Sequence, residues 1–78
     1  MQNPNTNTTA DHIDGEGYAV VTLQEPGYPL STYRMCPGGF IDRLEGDDWN
    51  NQFAMSWGLL ASVQAAAEGI GWVFDPEA

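Results

Sequence analysis

The chain has 78 residues, with eleven Asp and Glu against two Lys and Arg, a formal net charge of −9 and 42% hydrophobic residues. That length supports one small domain, and the apolar content is too high for a chain disordered throughout. Arg34 and Arg43 are the only strong cations, too few to neutralise a run of phosphates, so neither a direct nucleic-acid partner nor a membrane surface is expected.

Residues 1–12 are rich in Asn and Thr without periodicity and are read as a flexible polar tail, with one domain over 13–78. The start of the chain has neither a basic region nor an apolar segment, which points to a cytoplasmic protein. Tyr18 to Leu23 is the first predicted strand, β-branched and aromatic, with Ala19, Val21 and Leu23 as its more core-like face. Pro26-Gly27 has the composition of a tight turn, and Leu30 to Met35 follows as a second strand in a hairpin with the first. After Pro37-Gly38-Gly39, Phe40 to Leu44 alternates as a short third strand at an edge, or as a tied-down loop.

Asp47 or Asp48 is expected to cap a helix running from about Trp49 to Glu68, ended by Gly69 as a left-handed cap. Winding that segment at 100° per residue gathers Trp49, Phe53, Trp57, Leu60, Val63 and Ala67 into one apolar stripe facing the sheet. The opposite face has no charge. Ala54, Gly58, Ala61 and Ala65 recur there at spacings that allow two helices to approach closely, which makes this face a candidate for homodimerisation or adaptor contacts. Gly71 to Phe74 is read as a last strand before Asp75-Pro76. The expected fold is a two-layer α+β domain: an antiparallel sheet of three to four strands, in the order β-β-(β)-α-β, with one helix packed on it.

Chemistry-bearing residues are sparse. Cys36 is the only cysteine and His12 the only histidine. Cys36 is expected to be a semi-buried apolar side chain, because a reactive thiolate wants a cationic or histidine partner. No phosphate loop, dinucleotide fingerprint, calcium loop or Cys-x-x-Cys spacing occurs, so no catalytic residue, metal site or cofactor is expected. The carboxylates are the prominent feature. Asp42, Glu45, Asp47 and Asp48 fall within seven positions, and Glu25 precedes the Pro-Gly turn. Acids concentrated in this way present a complement to a basic protein surface, with Tyr28, Tyr33, Tyr18 and Trp72 as candidate aromatic anchors.

In length, in its excess of acids over bases, in its lone cysteine and in the hairpin-plus-helix layout over residues 17–74, the chain resembles the small acidic inhibitors that phages use against host defence, the anti-CRISPR proteins above all. The resemblance implies a non-enzymatic protein that binds a host nucleic-acid-binding complex, in some cases by imitating the charge of DNA. It assigns no role to any single residue. The alternative expectation is a structural or regulatory assembly module acting through the uncharged helix face.

Overall fold

Five antiparallel strands follow one another in chain order: β1 (Asn7–Ile13), β2 (Ala19–Gln24), β3 (Ser31–Met35), β4 (Ile41–Glu45) and β5 (Asp48–Asn51). One helix, α1 (Trp57–Gly69), comes after them. The structure, a computed structural model, describes residues 7–52 and 55–77. Each strand pairs with the next in sequence, so the sheet is a simple meander. The result is a small α+β domain in which an antiparallel sheet packs against one helix, as the composition and periodicity imply.

Strand alternation decides which face is covered. Ala19, Val21 and Leu23 of β2, Tyr33 and Met35 of β3, and Ile41 of β4 are buried with Val63 and Ala67 of α1 and with Trp72. The helix lies over β1, β2 and β3. Full burial of side chains such as Leu23, Val21 and Val63 contributes roughly 1.5–3 kcal/mol each, a large share of the stability available to so short a chain.

Several sequence expectations are corrected here. Residues 7–12 are not tail: they form most of edge strand β1, whose ladder with β2 runs from Asn7 opposite Gln24 to Ile13 opposite Ala19, with an irregularity between Ala10 and His12. The third strand, β4, is interior, because β5 pairs outside it. That fifth strand takes up residues assigned to the helix. Gly46 has φ of +64° whereas Asp47 stays at negative φ, the pattern of a two-residue II′ hairpin turn, in which glycine occupies the first central position. The acids at 47 and 48 therefore belong to a hairpin and do not cap a helix.

The helix begins at Trp57, where Ser56 Oγ accepts the Leu59 N–H at 3.3 Å as N-cap. At the other end, Trp72 N–H donates to Ala67 O (3.0 Å) and Gly71 N–H to Glu68 O (3.1 Å). This pair of bonds is a Schellman motif, and Gly71, at φ +102°, is its left-handed residue in place of Gly69. The reversal sends Trp72 back into the core. Among the described residues no strand follows the helix, so the expected strand at 71–74 is an irregular segment tied to the β3–β4 turn by Asp75 N–H donating to Pro37 O at 2.7 Å.

Candidate functional site

In a meander the turns alternate between the two ends of the sheet. The β2–β3 turn and the β4–β5 turn therefore share one end, separated by two inter-strand spacings, or roughly 10 Å. The first is built as expected, with Tyr28 N–H donating to Glu25 O at 3.2 Å across Pro26-Gly27. It leaves Tyr28 67% and Leu30 60% exposed. The second turn exposes Glu45, Asp47 and Asp48, with Glu45 directly opposite Asp48 in the ladder.

Among the described residues no ion pair engages Glu25, Glu45, Asp47 or Asp48. Glu45 Oε2 accepts only the Asn50 side-chain amide, at 3.1 Å. Since the Debye length is about 8 Å at physiological salt, the charges of the two turns are largely screened from one another, and the negative field is concentrated at the β4–β5 turn, where three carboxylates crowd together. This end combines anionic charge with two protruding apolar side chains, the chemistry suited to a basic surface with apolar pockets.

Asp42, expected in the same cluster, is elsewhere. Strand pairing sets His12, Val20, Arg34, Asp42 and Asn51 in one cross-strand row on the face the helix leaves open. The Asp42 carboxylate accepts from Arg34 Nε at 2.8 Å, Cys36 Sγ at 3.6 Å and Asn51 Nδ2 at 3.4 Å. The Arg34 guanidinium is flanked by the Tyr18 and Trp49 rings, each centroid 4.7 Å away. Burial acts against the Arg34 charge, but the hydrogen bond and charge of Asp42 outweigh it and raise its pKa. A buried carboxylate held by three donors is a structural ion pair and is not available to a partner. Tyr33 is withdrawn as well, buried on the helix-covered face of β3.

Burial pushes the Cys36 thiol up to about 11, and Asp42 adds to the shift while Arg34 opposes it. At neutral pH the group is protonated and offers no thiolate. Among the described residues no three His, Cys, Asp or Glu side chains converge in a way that could hold a metal ion. His12 Nδ1 lies 2.6 Å from Asp11 Oδ2 on the exposed surface of β1.

On the helix, Gly58, Ala61 and Ala65 are exposed as expected, whereas Ala54 and Phe53 lie outside the described residues. Trp57, assigned to the core stripe, is 85% exposed beside Gly58. Trp49 is half-buried on β5, and Trp72 is a core residue whose Nε1–H is buried without a hydrogen-bond partner among the described residues.

The Tyr18–Arg34–Trp49 stack and its anchor Asp42 were not anticipated from the residues. The available signal was the Pro37-Gly38-Gly39 break read as a hairpin turn, which sets Arg34 opposite Asp42 on the parity that alternates away from Tyr33, Met35 and Ile41. No family model matches the chain, and neither a curated protein nor a solved structure matches it. The fold alone therefore defines its class: a five-stranded antiparallel meander with one helix on one face.

Proposed function

We propose that this protein is a non-enzymatic inhibitor that occupies a basic, nucleic-acid-binding surface on another protein. The observation behind the reading is the cluster of unpaired turn carboxylates, Glu45, Asp47 and Asp48, with Glu25 and the exposed Tyr28 on the neighbouring turn. Arginines and lysines that ordinarily contact phosphates meet carboxylates instead, and Tyr28 and Leu30 supply apolar contact beside them. The resemblance to anti-CRISPR proteins directs the search for a target to host nucleic-acid-guided defence complexes. The test is capture of nucleic-acid-binding complexes by the immobilised protein, with and without competing DNA. Capture that DNA abolishes, and that is lost when Glu45, Asp47 and Asp48 are all changed to Lys, supports the reading; capture that survives excess DNA and high salt contradicts charge mimicry.

The exposed helix face favours a second reading, a homodimer or adaptor surface. Trp57 stands free there, and a Cβ built on Gly58 meets nothing within 4 Å, so Gly58 is not needed for packing within the chain. Gly58→Glu separates the two readings. It disrupts an assembly made through α1 and leaves binding through the acidic turns intact; a solution mass that is monomeric for both proteins removes the homodimer.

A further inference from the structure

The opposite end of the sheet differs in kind. There the β1–β2 turn, the β3–β4 turn and the segment after α1 come together, fastened by the Asp75–Pro37 bond. Phe40 is 66% and Val73 73% exposed, and the Phe74 ring lies against Gly39, 3.1 Å from where a Cβ would sit. Three shallow clefts adjoin here. One, of about 400 Å³, lies between Ile13, Pro37 and Val73; the next, of about 320 Å³, between Tyr18, Pro37 and Phe40; the third, of about 250 Å³, between Phe40, Met55 and Leu60. Pro37 is shared by the first two and Phe40 by the last two.

The charged groups that line these clefts have one sign, beside the neutral amides of Asn51 and Gln52 in the third. Glu16 lines the first two clefts and Asp75 the first, and both residues are exposed. Neither arginine lines any of the three clefts. The middle cleft sets the Phe40 ring and the Glu16 carboxylate around one space, a combination that holds a cationic side chain by cation–π attraction and charge, whereas the Tyr18 ring that also lines it is already engaged by Arg34 at 4.7 Å.

We propose that this end is a second docking surface, for a basic amphipathic segment of another protein. Large apolar side chains of the segment enter the outer clefts, and a Lys or Arg lies between Glu16 and Phe40. The chemistry differs from that of the acidic end, since apolar contact dominates and salt affects it less. The inference does not depend on that end having the role given above.

A labelled amphipathic peptide of Leu and Lys, titrated with the full chain and followed by anisotropy, tests the surface, with a Leu and Glu peptide as control. The expected result is binding of the Leu/Lys peptide alone, retained at high salt. It weakens at least about tenfold in the exposed-site double variant Phe40→Ser, Val73→Ser, falls several-fold in Glu16→Lys, and does not change in Asp47→Lys. An unchanged unfolding midpoint for the double variant shows that the loss is not misfolding. Absence of binding, equal binding of the Leu/Glu peptide, or an affinity that follows Asp47 and ignores Phe40 overturns the proposal. A dimeric mass that reverts to monomer on Phe40→Ser also overturns it, by assigning the face to a second copy.

Discussion

Asp42 and the carboxylates just beyond it, Glu45, Asp47 and Asp48, form one acidic cluster in the sequence and two regions in the molecule. Asp42 is the second residue of β4, where alternation turns it onto the open face beneath Arg34, and three donors hold it. The other three surround a two-residue turn, where no cation among the described residues pairs with them. The first carboxylate maintains the sheet, and the others are left free to act on something outside it. Density of charge along a chain is thus a poor guide to charge available at the surface; strand parity and turn position divide it.

That division can be broken from either side. Asp42→Ala strands a half-buried guanidinium and removes the acceptor of Cys36 and Asn51, and it is expected to destabilise the fold by about 3 kcal/mol in urea unfolding; a loss below about 1 kcal/mol would mean that the aromatic rings alone keep Arg34 in place. The triple change Glu45→Lys, Asp47→Lys, Asp48→Lys should do the converse. Affinity for a basic target is expected to fall at least tenfold, about 1.4 kcal/mol, with stability altered by no more than about 0.5 kcal/mol.

The pH dependence on the strand side has a definite sign. The folded protein keeps the Cys36 proton up to about 11, whereas the unfolded chain releases it near pH 8.5. The resulting stabilisation is complete below that lower value and is lost as pH rises toward 11, by no more than about 3 kcal/mol. Comparing alkaline unfolding of the wild type with Cys36→Ala isolates this contribution, since the variant should show a shallower decline over that window. The smallest effect belongs to the turn. Asp48 faces Glu45 across the ladder, so Asp48→Thr should add a few tenths of a kcal/mol of stability, read as a slightly higher thermal midpoint, as like-charge repulsion is relieved.

The central hairpin was legible in the sequence because β2 and β3 alternate apolar residues around an unambiguous Pro-Gly turn. The second half of the helix was legible for a similar reason: Val63 and Ala67 fall on the buried stripe that the periodicity predicts. The stretch between them was not. Asp48-Trp49-Asn50-Asn51 has weak strand propensity, and Trp49 happens to lie in helical phase with Trp57, so the pattern read as one long helix through what is a II′ hairpin. β1 was hidden by its polar composition, as befits an edge strand whose residues mostly face water. Of the candidate site, Tyr28, Glu45, Asp47 and Asp48 are exposed at one end, with Glu25 half-buried beside them. Asp42 and Tyr33 were lost to the interior, one by an ion pair and one by burial against the helix, because neither register nor facing could be fixed before the β3–β4 turn was known.

The most direct test is amide chemical-shift mapping with an oligo-arginine peptide, a probe with charge and no large apolar side chains. The account predicts that the largest shifts fall at residues 25–30 and 45–49 and vanish in the triple Lys variant. Shifts spread evenly over all the acids, or concentrated on the helix at 57–68, would contradict it.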